Sequence, residues 1–226
     1  MNVVITGAGK GIGLDLVRFF LSAGARVWAC SRHVAALESI KNDRLTVRSL
    51  DLTDVAEADI YDSVAAHSDQ LDILVHNAAI LTNQPFLETT LDVWRQTFET
   101  NVFSAVKVSR ALIPLLKKSR TSHIVHIGSM GGFQGSSKFP GLSAYSASKA
   151  ALANITECMA EELKNDGIHV NCLALGAVDT EMLRTAFPGY QAPVSSEDMA
   201  RFIGEFSINQ RSFFNGKIIP VSSSTP

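Results

Sequence analysis

Long apolar runs are missing from this chain of 226 residues, and no stretch is long enough to cross a bilayer. Charge of one sign is equally scarce. The net charge is −2, and no basic block is denser than Lys117-Lys118-Ser119-Arg120. That cluster falls where a long helix is predicted to end, a place where cations complement the helix dipole. Binding of nucleic acid or of a membrane surface is therefore not expected. The three cysteines, Cys30, Cys158 and Cys172, are an odd number with no CxxC spacing. They exclude a disulfide framework and read as reduced core thiols of a cytoplasmic protein. The six histidines are scattered with no His-Glu-x-x-His spacing, so no metal site is expected. His76 and His126 read as histidines at strand ends that satisfy backbone groups. Repeats, linkers and low-complexity segments are absent apart from the serine-rich run 222–226, which is expected to fray. No signal peptide is expected, because Met1 leads straight into a strand.

What is present is core material. Hydrophobic residues make up 46% of the chain and charged residues 19%, which suits one packed domain spanning residues 1–226. Short β-branched runs at Val3–Thr6, Arg26–Cys30, Leu45–Leu50, Leu71–Val75, Ser122–Ile127, Ile168–Ala174 and Lys217–Val221 read as strands. Helical patterns alternate with them: one after Gly13, one capped by Asp54 and running to about His67, one from Thr90 to Lys118, one from Tyr145 to about Asn165, and a short one from Ser196. The segment Glu181–Pro193 reads as a lid. Such alternation predicts an α/β, Rossmann-type doubly wound parallel sheet of about seven strands with helices on both faces.

The first strand feeds Gly7-Ala8-Gly9-Lys10-Gly11-Ile12-Gly13 directly into a helix. A glycine turn between strand and helix lets backbone approach a pyrophosphate that then sits on the helix N-terminus. The bland alternative is a tight turn. The second strand ends in Ser31-Arg32-His33, where an NAD site usually carries an acid for the ribose 2′-hydroxyl. Arg32, with Lys10 as a second cation, instead suits a 2′-phosphate, so NADP(H) is expected rather than NAD(H); Arg32 alone could equally be an exposed charge. Asp51-Leu52 and Asn77-Ala78-Ala79 follow the third and fourth strands, placed to touch an adenosine or simply to form turns.

Tyr145-Ser146-Ala147-Ser148-Lys149 sets a phenol and an ammonium four residues apart on one helix face. Lowering a phenol's pKa from ~10 to ~7 requires roughly 4 kcal/mol of differential stabilisation, within reach of one close cation plus a second positive group. A group so tuned suits proton exchange with a carbonyl oxygen. Alone, the pair is as compatible with surface packing.

Together, Thr6-Gly7-x-x-x-Gly11-x-Gly13, Asp51-Leu52, Asn77-Ala78-Ala79, Asn101, Ser129, Tyr145-x-x-x-Lys149 and Gly176-x-x-x-Thr180 resemble the short-chain dehydrogenase/reductase family over essentially the whole chain. The resemblance implies an oxidoreductase that interconverts a carbonyl compound and an alcohol with NADP(H). It implies that Tyr145 exchanges the proton and that Lys149 binds the nicotinamide ribose and, with the positive charge of the oxidised nicotinamide, depresses the tyrosine pKa. It further implies that Ser129 holds the reacting oxygen, that Asn101 interrupts its helix and completes a proton path, and that Val178 and Thr180 fix the carboxamide. A homodimer or homotetramer is implied through the helices of Asn101 and Tyr145, with Val102, Val106, Leu152, Ile155 and Met159 as contacts or as core. Three departures stand out: Ala79 replaces the family's usual Gly, Leu175 its usual Pro, and the Ser129–Tyr145 loop is long. Met130, Phe133, Phe139, Leu142, Met182 and Phe187 are expected to face substrate or to pack the loops. The alternative of another class is a nucleotide-sensing binding protein without turnover.

Overall fold

The computed structural model describes residues 1–222; the serine-rich end expected to fray lies outside them except for Ser222. The elements in order are β1 (Asn2–Thr6), α1 (Gly11–Ser22), β2 (Arg26–Ser31), α2 (Ala35–Glu38), β3 (Leu45–Ser49), α3 (Glu57–Ala65), β4 (Ile73–His76), α4 (Leu91–Phe98), a π-helical turn (Glu99–Phe103), α5 (Ser104–Leu116), β5 (His123–Ser129), α6 (Ser143–Glu162), β6 (His169–Leu175), β7 (Val178–Asp179), α7 (Glu181–Ala186), β8 (Val194–Ser195), α8 (Ser196–Asn209) and β9 (Lys217–Val221). Seven strands form one sheet in the order β3-β2-β1-β4-β5-β6-β9, every pair parallel. This is the doubly wound sheet expected from the sequence.

The strands read as unbroken apolar runs because both faces are covered. On one face Val3, Ile5, Val75, Val125 and Leu173 pack under α1 and α8 with Phe20, Ile203 and Phe206. On the other, Val4, Leu74, Ile124 and Val170 pack with Ile60 of α3 and Leu112 and Leu115 of α5. Strand order reverses between β1 and β4, and the crevice beyond their carboxyl ends is where such sheets bind ligands.

Several boundaries differ for local reasons. Asp54 does not cap a helix. Ala56 precedes α3 without a side-chain cap, because Asp51 has already turned the chain by accepting from the Thr53 amide (3.0 Å) and hydroxyl (2.8 Å). The helix predicted over Thr90–Lys118 is two α-helices joined by the π turn. The helix from Ser196 is not short: Ser195 caps it by accepting from the Asp198 amide (3.0 Å), and it runs 14 residues. Cys30 and Cys172 are core thiols, but Cys158 is exposed on the outer side of α6. Among the described residues no helix is long and apolar enough to cross a membrane.

His76 and His126 do not satisfy backbone groups. They bond side chains of the helices above them, His76 Nε2 with Ser109 Oγ and His126 Nδ1 with Thr156 Oγ1, each at 2.8 Å. Buried His123 does meet backbone, at Ser207 O (3.0 Å). Burial holds all three neutral, taking His123 to about 4, His126 to about 3 and His76 well below the ordinary value. The unfolded chain protonates first, near the free value of about 6.5, so the stability these groups contribute is present above that pH and is lost as pH falls toward 4. Each group should contribute up to roughly 1.4 kcal/mol per pH unit to the loss. Urea unfolding at pH 7.5 and pH 5.0 should show a clear drop in midpoint at the lower pH, and equal midpoints would contradict the account.

Candidate active site

A cleft of about 660 Å³ opens along the carboxyl ends of β1, β2, β4, β5 and β6. The glycine turn forms its floor at one end. Gly7 has φ +64°, and a Cβ there would sit 2.6 Å from the Ala78 Cα. Only glycine allows that approach of two backbones. Asn77 fixes the crossing: its Nδ2 donates to Thr6 O (3.2 Å) and Gly7 O (2.9 Å). Thr6 Oγ1 accepts from the amides of Asn77 and Ala78, both at 3.2 Å. Thr6 thus holds the turn, a role its lone hydroxyl in a β-branched run did not announce.

Gly7, Lys10, Gly11 and Ile12 line the cleft, as do Ser31, Arg32, Asp51 and Leu52, then Asn77, Ala78 and Ala79, and Val178 and Thr180 at the far side. Gly9 and Gly13 lie behind that wall. A Cβ on Gly9 would press on Ser31 and His33, and one on Gly13 on Gly7 and Asn77. The N-terminus of α1 carries no capping side chain and opens on the cleft. Free amides at a helix start, backed by a glycine cradle, suit a phosphate group. Asp51 is held below the usual carboxylate range by its Thr53 hydrogen bonds and, in smaller measure, by Arg32 and Lys107. Lys107 Nζ donates to Leu52 O (3.0 Å) and Thr53 O (2.8 Å), pinning that turn from α5. These groups fit a dinucleotide.

Lys10 is not a free second cation. It pairs with Glu181 at 2.9 Å across the mouth. Asn83 Nδ2 donates to Ala186 O (2.8 Å), so α7 is held at both ends over the cleft. Thr180 starts that helix by accepting from the Leu183 amide (3.3 Å). The region expected to be a lid thus contains a helical turn with its own cap.

At the other end Ser129, Tyr145 and Lys149 share the cleft. Lys149 is buried, its Nζ donates to Ile127 O (2.7 Å) and lies 5.8 Å from the Tyr145 ring centroid. Burial lowers the ammonium to about 8. The protein's own groups do not lower the Tyr145 phenol. Burial raises it above its ordinary value, and the Ser129 hydroxyl that bonds it offsets only part of that rise. Lys149 spends its bond on Ile127 O rather than on the phenol, so the protein's own groups hold Tyr145 protonated.

Asn101 stays outside the cleft and anchors its rear. In the π turn its Oδ1 accepts from the Ile80 amide (2.8 Å), and its Nδ2 donates to Ile80 O and Ser148 Oγ, both at 3.0 Å. Ser148, which in turn donates to Tyr145 O (2.7 Å), was not anticipated, although its spacing three residues after Tyr145 placed it near that face. Of the expected substrate-side residues, Met130, Phe139, Leu142, Met182 and Phe187 line the cleft with Leu81, Leu183 and Tyr190, whereas Phe133 does not. The Phe133 carbonyl accepts from Ser136 (2.9 Å) and Lys138 (2.7 Å), which folds the long loop on itself. Among the described residues no cluster of three or more His, Cys, Asp or Glu could hold a metal ion.

Residues 1–191 match the short chain dehydrogenase family, and the chain belongs to it. A Drosophila melanogaster dehydrogenase/reductase SDR family protein 7-like is 33% identical over 83% of this chain and 60% of its own length. Carbonyl reductase [NADPH] 2 of Sus scrofa is 33% identical over 82% of this chain and 75% of its own. A 3-ketoacyl-(acyl-carrier-protein) reductase from Brucella melitensis, solved with NADH, superposes with TM-score 0.85 at 25% identity over 97% of this chain and 96% of its own. The chain spans about three fifths of the fly relative's length.

Replacing Asn101 by Ala would strand the Ile80 amide and carbonyl in a site that is 1% exposed. The expected loss is about 1–3 kcal/mol in chemical denaturation, and a loss within error would contradict the anchoring role.

Proposed function

We propose that the chain is an NADP(H)-dependent oxidoreductase that interconverts a carbonyl compound (a ketone, an aldehyde or a 3-oxoacyl group) and its alcohol. The observation that carries this reading is the meeting of Ser129, Tyr145 and Lys149 at the end of β5, in one cleft with the uncapped start of α1. A nicotinamide supplies or accepts the hydride when bound. The protein's part is proton transfer and alignment. A phenol kept protonated by burial is ready to give its hydrogen to an oxygen that gains alkoxide character, and the Ser129 hydroxyl beside it can donate to the same oxygen. Lys149, which carries its charge over most of the range below its value of about 8, favours the phenolate left behind. Reduction is the direction this protonation state suits. A binding protein without turnover would have no use for a buried ammonium beside a phenol.

Arg32 supports NADP(H) over NAD(H). It is exposed on the adenosine side of the cleft and has no ion pair among the described residues. The pig relative names NADPH and the Brucella structure contains NADH, so the family admits both. Lys10 is a weaker support, since Glu181 already pairs with it.

The substrate end, walled by Met130, Leu142, Met182 and Phe187, favours a neutral apolar carbonyl compound over a polyanion, since Lys10 and Arg32 lie at the other end. The unpaired cysteines suit a reducing compartment such as the cytoplasm. A homodimer or homotetramer is supported by Leu91 and Phe103, 70% and 53% exposed on the helices that carry Asn101. Val102 and Leu152, expected either as contacts or as core, are buried within the chain. Light scattering reads the state, and a monomeric mass would reject the oligomer.

Tyr145→Phe should lower kcat by about 10²–10⁴-fold while NADPH affinity changes less than about twofold; turnover close to wild type would overturn the assignment. Arg32→Ala should weaken NADPH about 10–100-fold, the loss of charge-assisted bonds, and leave NADH nearly unchanged. An unaltered ratio of the two affinities would remove Arg32 from the 2′-phosphate site.

A further inference from the structure

Behind Lys149 the sheet carries a row of polar side chains that the proposed reaction does not use. His76 of β4, His126 of β5 and Cys172 of β6 are direct register partners, so they stand side by side on the face covered by α5 and α6. All three are buried. The imidazoles stack with centroids 4.9 Å apart and planes inclined by 29°. Neighbouring positions on this face are Leu74, Ile124 and Val170, so the row is a polar layer set into an apolar core.

Its hydrogen bonds favour one tautomer of His126. The Thr156 hydroxyl donates its single hydrogen to Leu152 O (2.9 Å), so toward His126 Nδ1, at 2.8 Å, it can only accept. With the Thr156 hydrogen on Leu152 O, Nδ1 carries the imidazole hydrogen, and on that tautomer Nε2 is a bare lone pair. That lone pair is buried and has no partner, an arrangement that cores ordinarily avoid. Lys149 and Thr156 lie two turns apart on the inward face of α6. Lys149 reaches Ile127 O, the residue after His126, and the ammonium is close enough to couple electrostatically to His126 and Cys172. Cys172 leans toward it: a Cβ on Gly128 would lie 2.6 Å from the Cys172 Sγ.

We propose that His126 is a positioning residue for Lys149, and that the neutral imidazole row it anchors is the polar floor that lets this ammonium stay charged beneath the cleft. The inference rests on the reading of Lys149 as part of the proton-transfer site. The physical need is plain: an ammonium buried over hydrocarbon loses its proton, and one carbonyl bond does not replace its water shell. A neutral imidazole with a buried, unpaired lone pair offers a dipole without a competing charge. A protonated one would repel the ammonium, and that repulsion, after burial, is what keeps His126 at about 3. The groups that face Lys149 are Tyr145 on its own helix, His126 with His76 behind it, and Cys172. Burial holds the Cys172 thiol up at about 11, so it too is neutral.

The test compares wild type with His126→Leu, which removes the polar floor, and His126→Asn, which keeps an acceptor. Protein labelled with ¹³C-lysine is titrated by NMR without cofactor, and the Lys149 resonance is assigned by its absence from Lys149→Arg. The expected result is a Lys149 midpoint lowered by about one pH unit or more in His126→Leu and largely restored in His126→Asn. The basic limb of the kcat/KM profile for NADPH-dependent ketone reduction should move with it. A Lys149 midpoint that is the same in all three proteins would overturn the proposal, whatever their thermal stabilities. Should His126→Leu fail to fold, an unmoved midpoint in the milder His126→Val would do the same. A wild type that reduces no carbonyl compound while the midpoint still shifts would strike the proposed reaction and leave the link between His126 and Lys149 intact.

Discussion

The structure depends most on one constraint: an ammonium has to stay charged inside the protein. Lys149 is 3% exposed, with one carbonyl as its direct partner. Everything around it follows from that difficulty. Its helix is locked to the π turn through Ser148 and Asn101, its strand partner delivers Ile127 O, and the layer beneath it is polar but uncharged. The protein carries three buried neutral histidines, which tie its stability to pH.

Much of the sheet and most of the cleft wall were legible in the sequence. Strand runs such as Val3–Thr6 need both faces buried, and only a parallel sheet between helices supplies that. The glycine turn was legible because Gly7 must bring two backbones together at positive φ, a demand no other residue meets. What escaped is what tertiary contacts decide. Asp54 looked like a cap, but Asp51 three residues earlier had already captured the turn. Lys10 looked free until folding brought Glu181, distant in sequence, across the mouth. Nor could spacing show that the Lys149 hydrogen bond goes to a backbone carbonyl rather than to the phenol four residues away. Burial, which spacing cannot show either, raises Tyr145.

The departures from the family's usual residues are absorbed without loss of the site. Ala79 lies on the cleft wall. Leu175 ends β6 buried in the core, and the Gly176 amide closes the turn by donating to Val221 O (2.9 Å). The long loop after Ser129 folds on its own carbonyls and docks through Gly141, whose carbonyl accepts from the Gln84 amide (2.9 Å). It contributes Phe139 and Leu142 to the mouth. Loop, lid helix and glycine turn therefore form one rim, with Ser129, Tyr145 and Lys149 at one end and the uncapped start of α1 at the other.

The central claim is that this rim encloses a pyridine dinucleotide. It is tested most directly by titrating the purified protein with NADPH and, separately, NADH, following the emission of Trp28 and Trp94 and its transfer to the nicotinamide. The account predicts saturable quenching with sensitised nicotinamide emission for both, at markedly lower concentration for NADPH. No transfer with either nucleotide would contradict it.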